Sequence, residues 1–154
     1  MIHFSNQSCR KGCSLLRKTD SGNQSDWLLF ADDDLRAVKL LSEHKTSCRV
    51  CRSKLAEALE KLLKGDLVGR GWPLERTHDL QRLCDMLAKY DNVRADNLQS
   101  TVDDLAEAYT EDRYPGFDFD DEDDWDEVKA LLSKVENYRV LLDRIEKADE
   151  SKLD

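Results

Sequence analysis

The stretch that decides the fold of this chain is Leu55-Ala56-Glu57-Ala58-Leu59-Glu60-Lys61-Leu62-Leu63-Lys64. Its four leucines recur at helical spacing, so one stripe of the segment is expected to face a core. Three glycines and Pro73 then interrupt the period, and a second amphipathic run begins with Arg76-Thr77-His78-Asp79-Leu80. Thr77 is the expected N-cap of that run, because its hydroxyl can accept a backbone N–H of the first turn. The stretch therefore predicts two helices joined by a glycine-bearing loop.

Helical periodicity continues through most of the remaining chain. Apolar spacing predicts helices at residues 27–43, 48–64, 78–89, 95–112 and 124–147. Asp26 is the expected cap of the first helix, and Thr46 or Ser47 that of the second. Since 154 residues suit one domain and no stretch alternates as a strand does, we expect an all-α fold, an antiparallel up-and-down bundle of about five helices. Residues 26–148 would form the bundle, residues 1–25 a flexible polar extension and residues 149–154 a frayed tail.

Charge is distributed unevenly along the chain, whose formal net charge is -9. Residues 45–89 contain ten Lys/Arg and six Asp/Glu, a net of +4, whereas residues 90–126 contain two and fourteen, a net of -12. Affinity for long nucleic acid comes mostly from neutralised phosphates. A chain this acidic is therefore a poor candidate for binding DNA or RNA. A small anion in a local basic cleft stays possible. Without a long apolar run or a signal-type segment, we expect a cytoplasmic protein with no membrane contact.

The five cysteines allow two interpretations. Cys9, Cys13, Cys48 and Cys51 form two short-spaced pairs that can be drawn as a zinc site. Alternatively, Cys48, Cys51 and Cys84 are small apolar core residues carrying free thiols, which the position of the first two at the head of a helix favours. The sequence contains no Gly-rich phosphate loop, no metal-spaced cluster and no Ser/His/Asp arrangement. We therefore expect no cofactor and assign no catalytic residue.

Several polar residues are candidates for one ligand-binding cleft. Lys61 and Lys64 each follow a glutamate by four residues, which fits a solvated helix face, but they could instead face the start of the third helix. His78 is predicted at the first helical position, where the dipole favours a neutral ring. Near the end of the fourth helix, the guanidinium of Arg113 suits a phosphate, and Tyr114 could stack on a base. The candidate ligand-binding residues are Lys61, Lys64, His78, Asp79, Arg113 and Tyr114.

These motifs together resemble the HEPN domain family, helical bundles associated with nucleotidyltransferases. The resemblance extends from Trp27 to about Ala148. It rests on Trp27-Leu28, Ala31, Asp34-Leu35, Glu60-Lys61-Leu62-Leu63-Lys64, Thr77-His78-Asp79-Leu80, Tyr109 and Arg113-Tyr114-Pro115. It implies a bundle that binds a nucleotide, acts as a homodimer and works beside a minimal nucleotidyltransferase in a toxin–antitoxin-type module.

One branch of this family consists of ribonuclease toxins, which resemble one another in an arginine followed after four to six residues by a histidine. Here Arg36 to His44 and Arg70 to His78 each enclose seven residues. The sequence thus favours a nucleotide- or substrate-binding bundle without catalysis of its own. The alternatives are a ribonuclease toxin of a HEPN toxin–antitoxin pair, and an acidic interaction module that docks a basic partner without any small ligand.

Overall fold

The structure, a computed structural model, describes residues 18–111, 114–116 and 123–153. Its helices are α1 Gln24–Glu43, α2 Cys48–Gly69, α3 Leu80–Ala88, α4 Asn92–Ala106, α5 Ala108–Glu111 and α6 Trp125–Glu150. The described ranges contain helices, turns and loops but no strand. The predicted all-α bundle is confirmed, with five long helices and the single turn α5. No described helix is long and apolar enough to cross a membrane.

Helix α2 is the centre of the bundle, because it packs against each of the other five helices. Its apolar residues are accordingly buried around the helix rather than along the single stripe that periodicity predicts. The buried residues include Leu55, Leu59, Leu62, Leu63 and Leu67, all fully inaccessible to solvent. Burial of this kind also encloses three charged side chains, those of Glu60, Lys64 and Asp66. Each of these charges needs a partner inside the protein.

The second helix runs five residues beyond its predicted end at residue 64. Gly65 lies inside it, and a Cβ there would stand 3.1 Å from the Cβ of Trp27, so the glycine lets α1 approach closely. The helix ends in a Schellman motif, with Gly71 N–H bonded to Val68 O and Trp72 N–H bonded to Leu67 O. Gly71 takes φ +87, and Trp72 is buried against the core. The stop signal is therefore Gly71 rather than Gly65.

Capping residues account for the other corrected boundaries. Helix α1 begins at Gln24 because the side chain of Asn23 accepts Ser25 N–H at 2.9 Å. Asp26, the predicted cap, is instead buried in the first turn and accepts the N–H of Asp20. Ser47 caps α2, as predicted.

The third helix begins two residues later than predicted, at Leu80, with Asp79 as its N-cap. The Asp79 carboxylate accepts Arg82 N–H at 3.0 Å, whereas Thr77 Oγ1 accepts the N–H of Asp79 in the preceding turn. The prediction of Thr77 as the cap is therefore wrong, and His78 lies outside the helix.

Helix α4 begins three residues earlier than predicted and ends at Ala106. Its N-cap is Asp91, and a turn at Glu107 separates it from α5. Helix α6 starts at its cap Asp124 and continues to Glu150, into the segment predicted to fray. The predicted N-terminal extension lies largely outside the described residues.

Candidate functional site

A buried ion pair on α2 forms the base of the candidate site. Lys64 Nζ donates to Glu60 Oε1 at 2.6 Å, and both residues are about 95% buried, with 5% and 6% exposure. The ammonium also lies 5.3 Å from the centroid of the Trp27 ring, a cation–π contact that joins the pair to α1. The spacing of four residues is the one that the sequence shows, but the solvated helix face expected there is wrong for Lys64. Because the pair is enclosed at the centre of the bundle, its charges are stabilised by each other and not by water.

His78 is attached to this base from the loop between α2 and α3. Its Nδ1 lies 3.1 and 3.2 Å from the two carboxylate oxygens of Glu60, while 68% of its side chain is exposed. A carboxylate can only accept, so the Nδ1 atom carries the proton and donates. The other ring nitrogen, Nε2, then faces away from Glu60, and it can accept a hydrogen bond whenever the ring is neutral. The orientation of His78 is thus fixed by Glu60, and the residue lies before the N-cap of α3 and not at the first helical position that the sequence predicted.

Tyr109 of α5 covers one side of the histidine ring. The two ring centroids are 5.7 Å apart with an interplanar angle of 18°, a stacked arrangement. Burial raises the pKa of the Tyr109 phenol, and the charges of Glu60 and of the Tyr114 phenolate add to the effect. Tyr114 itself is 63% exposed. The site therefore has an aromatic rim above a buried, charged floor.

The predicted site residues have different outcomes. Lys64 and His78 come together through Glu60, a residue that the sequence offered only as a helix-pair partner. Lys61 turns toward α1 instead, where it forms an ion pair with Asp34, a side chain that is only 10% exposed. The sequence signal for that contact was weak, because Asp34 lies 27 residues away on another helix.

The remaining predicted residues contribute less to the described cleft. Asp79 is occupied in capping α3. Arg113 lies outside the residues that the structure describes. Tyr109, which is not among the predicted site residues, stacks on His78 at the rim. Because Lys61 is paired with Asp34 and Lys64 with Glu60, neither of these two lysines has an uncompensated charge for a phosphate.

The thiol interpretation of the cysteines fits the described residues. Cys48, Cys51 and Cys84 are free and buried in the hydrophobic core. Burial, together with the nearby Asp123 carboxylate, raises the pKa of the Cys48 thiol to about 11. Cys9 and Cys13, the other half of the drawn zinc site, lie outside the described part of the chain. Among the residues described, no group of three or more His, Cys, Asp or Glu side chains could hold a metal ion.

Comparison with known proteins identifies the family. A family model described as "HEPN domain" matches residues 24–147, which is most of the chain and includes every helix except the last three residues of α6. Neither the curated proteins nor the solved structures gave a significant match. The match includes both segments that build the site, the Glu60–Lys64 turn of α2 and the loop that carries His78. The chain therefore belongs to the HEPN domain family.

Proposed function

We propose that this HEPN domain protein binds a nucleotide at the rim formed by His78, Tyr109 and Tyr114, without catalysing a reaction itself. The observation that carries the proposal is the oriented, exposed His78 ring, held by buried Glu60 and backed by Tyr109. A nucleobase stacked on such a surface gains about 1–3 kcal/mol, because every base has a π-face. The Nε2 atom of the neutral ring can in addition accept a hydrogen bond from an exocyclic amine.

The phosphates of that nucleotide need a cation other than Lys61 and Lys64. Lys61 and Lys64 are neutralised by Asp34 and Glu60. Arg113, next to Tyr114 in the sequence, is the guanidinium that we propose for this role. A planar guanidinium suits a phosphate because it can donate two parallel hydrogen bonds.

Calorimetric titration with ATP and GTP tests the proposal. We expect His78→Ala to weaken binding about 5-fold to 150-fold, the equivalent of about 1–3 kcal/mol of lost stacking. His44→Ala is the matched control, since His44 is an exposed residue at the end of α1. Arg113→Ala should reduce affinity for the triphosphates more than affinity for the nucleosides. Absence of nucleotide binding by the unaltered protein would remove the proposal.

The cellular part of the proposal concerns partners and location. We propose that the protein acts in the cytoplasm as a homodimer beside a minimal nucleotidyltransferase, in a module of toxin–antitoxin type. Membership in the HEPN domain family supports this setting. Sedimentation of the purified protein tests the dimer, and co-purification with a nucleotidyltransferase encoded in the adjacent reading frame tests the partnership. A monomer that co-purifies with no such enzyme would contradict both.

A ribonuclease is the second candidate function, and the Glu60–His78 contact favours it. A carboxylate that holds Nδ1–H while Nε2 faces outward is the arrangement of an oriented general base. In that reaction Nε2 would take the proton of a ribose 2′-hydroxyl, and the 2′-oxygen would attack the adjacent phosphorus. The P–O5′ bond would break, the imidazolium would return the proton to the leaving 5′-oxygen, and a 2′,3′-cyclic phosphate would remain.

Incubation of the protein with RNA separates the two candidates. Cleavage that ends in cyclic phosphates, and that disappears with His78→Gln and with a 2′-deoxy substrate, would establish the ribonuclease. Intact RNA together with nucleotide binding would establish the binding protein. The acidic interaction module, the third possibility from the sequence, would be indicated by neither activity and by a basic partner that salt releases.

A further inference from the structure

A groove of about 440 Å³ lies between α4 and α6. Its size is within the range of small-molecule sites, roughly 300–1,000 Å³, and the space between bundle helices is a usual position for them. The residues that line it include Arg94, Asn97, Leu98, Lys134, Asn137 and Leu141. It shares no lining residue with the rim around His78, so the groove is a separate feature of the molecule.

A buried network forms the floor of the groove and fixes Arg94 in position. Asp66, only 3% exposed, accepts hydrogen bonds from Arg94 Nη1 at 2.9 and 3.1 Å, from Arg70 Nε at 2.8 Å and from Tyr138 Oη at 2.8 Å. Asp91 supplies the second carboxylate, accepting from Arg70 Nη2 at 3.2 Å. Two guanidinium groups thus balance two carboxylates. Because its side chain is only 13% exposed and held on two sides, Arg94 loses little freedom when it binds something further.

Several hydrogen-bond donors on the walls of the groove have no partner among the described residues. Nη1 and Nε of Arg94 face the carboxylates, whereas its Nη2 bonds to no residue in the described ranges. The carboxamides of Asn97 and Asn137, one on each wall, also form no hydrogen bond within those ranges. Lys134 is half exposed and only loosely paired, at 3.4 Å from a carboxylate on α4. The groove therefore offers several hydrogen-bond donors to a molecule that brings acceptors, together with two cations that are each also paired with a carboxylate.

We propose that this groove binds a small organic anion, a carboxylate or phosphate group attached to an apolar or aromatic body. The anionic oxygens would accept from Arg94 Nη2 and from the Lys134 ammonium. Leu98 and Leu141, on opposite walls, provide the apolar surface for the body of the ligand. Asp91 also lines the groove, but its charge is already engaged by Arg70 and by the N–H of Arg94, so it does not repel the ligand with a free carboxylate.

Titration of the ¹⁵N-labelled full chain with three probes tests the proposal by NMR. The probes are phenylacetate, phenyl phosphate and 2-phenylethanol, which share one aromatic body. We expect at least one of the two anions to shift the side-chain amide signals of Asn97 and Asn137 in a saturable manner, and the neutral alcohol to leave them unchanged. The stronger of the two anions identifies the natural ligand as carboxylate or phosphate. Unshifted signals with both anions, or equal shifts with the alcohol, would overturn the proposal.

A matched pair of substitutions locates the binding. Asn137→Asp places a negative charge in the groove at an exposed position, so the protein keeps its core, and the preferred anion should bind about fivefold more weakly or worse. Asn23→Asp adds the same charge outside the groove, at the N-cap of α1, where aspartate serves as well as asparagine. Affinity should then be unchanged. Equal weakening by both substitutions would show that the effect comes from the net charge of the protein, and it would refute the groove as the binding site.

Discussion

Replacement of Tyr138 by phenylalanine tests whether the buried network under the α4–α6 groove holds the bundle together. The phenol is 3% exposed and donates to Asp66 Oδ2 at 2.8 Å. A hydrogen bond to a charged group contributes about 1.5–3 kcal/mol. Asp66 keeps its bonds to Arg70 and Arg94 in the variant, so we expect the lower part of that range, about 1.5–2 kcal/mol of lost unfolding free energy at pH 7. Urea denaturation followed by circular dichroism measures this loss.

The pH dependence of stability gives the same substitution a sharper signature. Burial first, and then the Asp66 carboxylate, raise the pKa of Tyr138 well above its usual value. The folded protein thus holds this proton more tightly than the unfolded chain, in which the phenol has a pKa of about 10. The contribution is complete below pH 10 and is lost as the pH rises above it. Between pH 9 and 11 the unaltered protein should lose about 1.4 kcal/mol more than Tyr138→Phe.

Tyr90→Phe is the control for both measurements, because Tyr90 is 46% exposed and its phenol forms no hydrogen bond with a described residue. Its stability should stay within about 0.5 kcal/mol of the unaltered protein at both pH values. The reasoning fails if Tyr138→Phe costs no more than this control at pH 7. It also fails if the two variants lose stability in parallel above pH 10, since Tyr138 would then titrate like an exposed tyrosine.

Three further predictions concern caps and turns. Gly71→Ala should cost about 1–2 kcal/mol in urea denaturation because φ is +87 there, whereas Gly22→Ala, at a turn without a positive φ, should change little. Asp79→Ala should cost about 1 kcal/mol through the lost N-cap of α3, and Asp85→Ala, on the exposed face of the same helix, less than half of that. The Arg94 N–H and the neighbouring guanidiniums lower the pKa of Asp91, so the stabilisation from its carboxylate is present above about pH 4 and is lost below that pH. Asp91→Asn should therefore be less stable than the unaltered protein at pH 7, and the two proteins should approach equal stability at about pH 3.

The architecture could be predicted from the sequence because periodicity and family motifs report the same helices. The leucines of the segment at residues 55–63 are all buried, and five long helices appear in the expected order. Helix ends were less predictable. A glycine inside a helix costs about 1 kcal/mol relative to alanine, so Gly65 looked like a stop. Its real role, close contact with Trp27, depends on a tertiary approach that local sequence does not contain.

The candidate site could be predicted only in part, and for a similar reason. The Glu60–Lys64 spacing reads the same on a solvated face as in a core, and only the central position of α2 decides between them. His78 is a candidate site residue from the sequence, but its orientation follows from Glu60, eighteen residues away. Tyr109 is partly buried against the core, and its stacking on His78 comes from a contact between segments that are distant in the sequence. Contacts between helices, rather than within them, are what the sequence alone could not supply.

The rim around His78 and the α4–α6 groove both depend on a buried carboxylate of α2. Glu60 and Asp66 are six residues apart, so they point about 120° from each other around the helix axis. One carboxylate holds His78 and the other holds Arg94. Each would cost several kcal/mol if its partners were removed, because a lone charge in the core is not solvated. The helix therefore orders two side chains on different faces, and substitution of His78 should leave anion binding in the α4–α6 groove unchanged.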